Sequence, residues 1–172
     1  NSTSIPVTLL STPLCIDPKG NEGLNPQKTE PTNPLYSLDK QQSSLVYYDK
    51  NTIVLTMPYW VKVTNSSVED SELKKHSFVL SYDPTTMKDT DTKLKLYISH
   101  VVDDAGETVT RSNFTYAYRA YSIKEALTAF RNKTGKLPKY LELTAQTNNS
   151  KDELKKEESG ETSVEYEYAF TE

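Results

Sequence analysis

The sequence predicts an all-β domain: an antiparallel β-sandwich or partly closed barrel of about eight strands, with one short α-helix at about Ser122–Thr134. Three observations lead there. Apolar and polar residues alternate with period two in several short segments separated by turn-forming clusters. Strands and helices do not alternate as a doubly wound sheet would require. Only 35% of the 172 residues are hydrophobic, yet 12 are tyrosine. That pairing suits a thin core between sheets, with rings inside and hydroxyls at the water boundary.

Residues 1–44 hold six of the nine prolines and end in the polar run Gln41-Gln42-Ser43-Ser44. Within them Ile5–Leu10 reads as a strand, and Pro18–Pro34 as extended loop. The segment is expected to be an N-terminal strand with a long wrap, or the remnant of an upstream domain. The sandwich itself is expected over 45–172.

From Leu45 the pattern is regular. Leu45–Tyr48 and Ile53–Met57 flank a hairpin turn at Asp49-Lys50-Asn51. Pro58 lacks a backbone donor and marks an edge, bulge or break before Tyr59-Trp60-Val61-Lys62-Val63. His76–Tyr82 alternates and stops at the turn signal Asp83-Pro84. Leu94–Val101 alternates next, with Leu94, Leu96 and Ile98 on one side. Asp103–Glu107 is a turn, and Phe114–Tyr121 is an aromatic strand. Ser122-Ile123-Lys124-Glu125 fits a capping box, and Ile123, Ala126, Leu127 and Phe130 recur at helical spacing. Gly135 and Pro138 end the helix. Tyr140–Gln146 and Thr162–Phe170 close the chain. Lys151–Glu158, with mixed charges, reads as a solvated tip or short helical turn.

Composition removes several function classes. Net charge is −4, with no basic stripe, so nucleic acid is not an expected partner. No run approaches the roughly 18 apolar residues of a membrane span. Cys15 is the single cysteine, read as a small buried hydrophobe. There is no Gly-x-Ser-x-Gly elbow and no glycine-rich phosphate loop, so the expectation is a protein that is not an enzyme and carries no cofactor. The two histidines, His76 and His100, sit at core-edge parity. A metal there would need Asp103 or Asp104 as a third ligand, and no metal site is expected. The acidic groups Asp83/Asp89/Asp91 and Asp103/Asp104/Glu107 are read as turn chemistry. Five Asn-x-Ser/Thr sequons, at Asn1, Asn65, Asn113, Asn132 and Asn148, matter only in a glycosylating host.

The candidate ligand-binding residues are Trp60, Tyr97 and Arg119. Trp60 and Tyr97 fall opposite Val61 and Leu96 and are expected to face outward, where rings stack on sugars. Arg119 is expected to stack on a tyrosine.

The runs Tyr59–Val63, His76–Pro84 and Leu94–His100, the short helix after an aromatic strand, and the final Glu165-Tyr166-Glu167-Tyr168-Ala169-Phe170 together resemble the C-terminal domain of the NigD-like family of Bacteroidetes lipoproteins. The resemblance covers about Leu45–Phe170. It implies a setting in the cell envelope, periplasmic or surface-exposed, with a lipid anchor upstream of Asn1 as the membrane link. Cys15 is not in a lipid-attachment motif. Residues 1–44 are also too short for the OB-like barrel that family members carry before this domain. The family brings no catalytic residues.

The expected function is a non-enzymatic, envelope-associated binding or structural module whose partner is an unknown protein or glycan. One alternative is a carbohydrate- or peptide-binding surface protein using exposed aromatics. Another is an adhesive fibre subunit completed by a partner at a free edge.

Overall fold

A computed structural model describes residues 29–170. Its strands are β1 (Ser44–Asp49), β2 (Thr52–Val61), β3 (His76–Ser81), β4 (Lys93–Val102), β5 (Asn113–Ser122), β6 (Tyr140–Thr147) and β7 (Gly160–Glu167). Two helices, α1 (Asp70–Leu73) and α2 (Lys124–Thr134), complete the regular elements together with short 3₁₀ turns at Pro84–Thr86 and Lys156–Glu158. The candidate strand Ile5–Leu10 and Cys15 lie outside the described residues.

The strands form two sheets, β1-β2-β5 and β3-β4-β6-β7. The architecture is the expected sandwich, open at its edges rather than closed into a barrel. Period-two parity sets the inner faces. Ile53, Leu55, Met57, Tyr59 and Val61 line one sheet; Leu94, Leu96, Ile98, Leu141, Leu143 and Ala145 line the other; all are buried in one core. Phe78, Leu80, Ala117 and Tyr121 join them.

The β1–β2 hairpin bends through an irregularity between Tyr47 and Asp49. The Asp49 carboxylate there accepts the Asn51 N–H at 2.7 Å, a side-chain turn mimic. Pro58 lies inside β2, which pairs with β5 along its whole length but with β1 only as far as Thr56. A residue in an antiparallel strand sends its N–H and C=O to the same side. The Pro58 carbonyl accepts from Tyr36 N–H at 2.9 Å, beyond the end of β1. The missing donor therefore faces residues 35–36 rather than β5 and removes no bond of the β2–β5 ladder.

One pair departs from the antiparallel pattern. β4 and β6 run parallel, from Lys93↔Tyr140 to Ile98↔Ala145. Between them the chain crosses to the other sheet as β5 and returns through α2, a crossover that simple βαβ periodicity does not reveal.

Beyond Ile98 and Ala145 the parallel strands separate, and residues 29–38 enter as a strap. Thr32 and Asn33 N–H donate to the His100 carbonyl, Leu35 N–H to Gln146, and Asn148 N–H to Leu35. Leu35 and Leu38 belong to the core. The described part of the proline-rich segment is thus built into the sandwich.

The capping box at Ser122 is not formed. Ser122 is the last paired residue of β5, opposite Thr52. Ile123 is the N-cap, with no side-chain cap bond; its N–H donates to Asn51 O at 2.7 Å instead. Sheet pairing has claimed the serine. The apolar stripe is as expected, with Ala126, Leu127 and Phe130 buried. Gly135 closes the helix at φ +75°, the left-handed region where a Cβ is costly.

Candidate functional site

The three sequence-predicted ligand residues lie on different surfaces. Trp60 has outward parity but is 1% exposed. Tyr36 from the strap packs edge-on against it, and its indole N–H donates to Asn148 O at 2.7 Å. Its ring therefore offers no stacking face. Tyr97 is half-buried on the outer face of the second sheet, beside Pro31. Arg119 has inner parity at the rim between β5 and β3, with its guanidinium 5.2 Å from the centre of the Phe78 ring. The ring it stacks on there is a phenylalanine of the facing sheet. The rings that do face solvent on β5 are Phe114 and Tyr116.

Chemistry-bearing side chains converge elsewhere, at the end of the sandwich where the strap enters. β3 and β4 pair His76 with Val102 and Phe78 with His100, so both histidines point inward two residues apart in register. Their rings are nearly parallel, 16° apart, and meet edge to edge with centroids 5.1 Å apart, so that His76 Nδ1 lies 2.8 Å from His100 Nε2. His100 Nδ1 lies 3.1 Å from the Pro34 carbonyl, which only accepts, so this nitrogen donates. His76 Nε2 is 3.2 Å from Glu72 Oε1 on α1. That oxygen also accepts from Lys62 N–H at 3.0 Å and Arg111 Nε at 2.7 Å. Arg111 forks onto Asp104 through Nη1 at 3.0 Å and Nη2 at 2.7 Å. Tyr59 leans over both imidazoles, and Phe78 stacks on His100.

The network is buried: His100 and Arg111 are each 1% exposed. Burial pulls the His100 imidazole down to about 3, helped by His76 and opposed by the Pro34 carbonyl. Burial also lowers His76, against the pull of the Glu72 hydrogen bond. At Glu72, burial works to raise the carboxyl, but the bonds from Lys62, Arg111 and His76 outweigh it and hold it low. The Arg111 fork holds Asp104 low as well. This is an ionic lock tying α1, both sheets, the β4–β5 loop and the strap together.

Two members, Glu72 and Arg111, went unnoticed in the sequence. Glu72 stands at i,i+4 from His76, a spacing that could have flagged it; nothing local distinguishes Arg111. Among the described residues, no group of three or more His, Cys, Asp or Glu side chains is placed to hold a metal ion. The acidic turns cap themselves: Asp83 accepts from Thr85 N–H, Asp91 from Lys88 N–H, and Asp103 from Ala105 N–H.

A second feature is open to solvent. A groove of about 610 Å³ runs between α2, the β1–β2 turn and Tyr168–Phe170, which follow β7 instead of extending it as the alternation predicted. Lys50, Lys124 and Arg131 stand along it, over Leu127, Tyr168 and Phe170. None of its described lining residues is acidic, although the chain as a whole is. Tyr168 donates to Lys50 O at 2.7 Å and fixes the turn against the floor.

No family model matches the chain, and no curated protein does. Among solved structures it is similar to the "Putative lipoprotein" of Bacteroides fragilis NCTC 9343, at 30% identity and a TM-score of 0.68. The match covers 84% of this chain and 66% of that protein, so the chain spans slightly under two thirds of its length. No helix among the described residues is long and apolar enough to cross a membrane.

Proposed function

We propose that this chain is the non-catalytic binding or structural module of an envelope lipoprotein of the NigD-like kind. The observation that carries this reading is the likeness to the Bacteroides protein in sequence and fold together. The geometry agrees with it. The cluster of titratable groups around His76 and His100 is largely buried and spent on joining elements of the fold. A catalytic group needs a route to substrate, and a lock does not. The test is metabolic labelling of the complete coding sequence, expressed in a Bacteroides host, with an alkyne-bearing fatty acid. Lipid-labelled protein in the membrane fraction is expected. Unlabelled protein in the soluble fraction overturns the reading.

A second reading concerns the ligand. The groove under α2 combines three cations with an apolar, partly aromatic floor. Its volume is within the few hundred to about a thousand Å³ typical of ligand sites. That chemistry suits an acidic glycan, with carboxylates against Lys50 and Lys124 and a sugar face on the Tyr168–Phe170 side. Affinity electrophoresis through polygalacturonate is expected to retard the wild type, and Lys50→Glu with Lys124→Glu to weaken binding at least tenfold. Equal mobility with and without the polymer eliminates this reading.

A further inference from the structure

We propose that His76 and His100 form a single proton-binding site, whose one exchangeable proton enters between His76 Nε2 and Glu72 while the strap stays docked on His100. The argument is a count of protons. Three gaps of hydrogen-bond length run in series: Pro34 O to His100 Nδ1, His100 Nε2 to His76 Nδ1, and His76 Nε2 to Glu72 Oε1. Both ends of the series accept only, and each gap needs one proton. Two neutral imidazoles carry two.

The Pro34 carbonyl fixes which gap is short of a proton. It requires N–H at His100 Nδ1, so His100 Nε2 is a lone pair. His76 must then present its own N–H at Nδ1. That leaves His76 Nε2 bare against the carboxylate, and this is the longest of the three contacts, at 3.2 Å. A third proton turns the one repulsive contact into a charge-assisted bond. A fourth has no place: on His100 Nε2 it would face the His76 N–H across 2.8 Å.

Charge supports the same order. With two protons on the pair, Glu72, Asp104 and Arg111 sum to −1; with three, the network is neutral. The other groups facing it are Tyr59 from β2, which stays protonated because burial raises it, and Lys75, 3.8 Å from Asp104. Lys156 acts on His100 from further away. Glu72 pulls His76 upward, whereas burial and the His76 charge both push His100 down. His76 therefore takes the proton first, and His100 keeps its bond to Pro34. Mild acidification therefore charges His76, while the His100 Nδ1–H bond that holds the strap at Pro34 is left in place.

The chain has two histidines in all, so ¹⁵N-histidine NMR of the unmodified protein reads the site directly. From pH 7.5 downward, His100 is expected to remain the Nδ1–H tautomer throughout the folded range. His76 is expected to pass from Nδ1–H to imidazolium with a midpoint below the ordinary histidine value, while the Thr32, Asn33 and Leu35 amides stay unmoved. In Glu72→Gln the His76 midpoint is expected to fall by a pH unit or more, a tenfold loss of proton affinity. The proposal is overturned by an Nε2–H tautomer at His100, by His100 titrating with or before His76, or by His76 staying neutral until the protein unfolds. An unchanged midpoint in Glu72→Gln also overturns it. If that variant does not fold, the wild-type spectra decide alone.

Discussion

Arg111 shows how one side chain determines whether a buried acid is tolerable. Its guanidinium is enclosed, and both neighbours, Glu72 and Asp104, are anionic. Replacing it with Met removes the countercharge and leaves Glu72 buried without it. Breaking a buried pair from one side typically costs about 3–5 kcal/mol. Arg111→Met is expected to lose stability of that order in urea titration, and a loss below about 1 kcal/mol would show the lock to be ornamental. None of this was legible in the sequence, where Arg111 sits in a polar stretch without period. The histidines were half legible: parity placed both at the core edge, and strand pairing brought the rings together. Trp60 was misjudged for a related reason. Parity gives the face of a sheet on which a residue lies, but it cannot tell whether another segment covers that face.

At the level of elements, legibility followed the number of competing partners. The strands from β3 to β7 were readable because alternation and turn residues agree there. The helix was readable through its apolar stripe and Gly135. Its start was not, because Ser122 had two possible roles, cap or ladder, and pairing with Thr52 is a tertiary contact. Pro58 carried a correct local message, that the β1 ladder does not reach it, within a strand that continues through it. The α1 turn is four residues long, too short for periodicity to register. The strap looked like loop because proline content measures backbone freedom, whereas its place in the fold depends on Leu35 and Leu38.

For the molecule as a whole, the titration of the lock becomes a dependence of stability on pH. Both histidines are held below their ordinary value in the fold, while the unfolded chain takes up protons near pH 6.5. Below that point the unfolded state binds more protons than the folded one, so stability falls as pH falls. Glu72 and Asp104, held low as carboxylates, extend the loss below about pH 4. Urea midpoints measured from pH 8 to pH 4 are expected to be level above about pH 7 and to decline below 6.5. A midpoint that rises on acidification would contradict the assignment. The sandwich class was legible from the whole sequence, but the parallel β4–β6 pair was not, since its crossover is spread over a strand of the other sheet and a helix.

That crossover also orders events in time. The slot that receives Leu35 is formed by β2, β4 and β6, and its last wall, Thr147, is synthesised long after the strap itself. The earliest described part of the polypeptide must therefore wait as an unpaired thread until most of the chain exists. Non-local closures of this kind slow folding. The proline-rich, polar composition of the strap, poor at pairing with anything else, keeps it available until its place is ready.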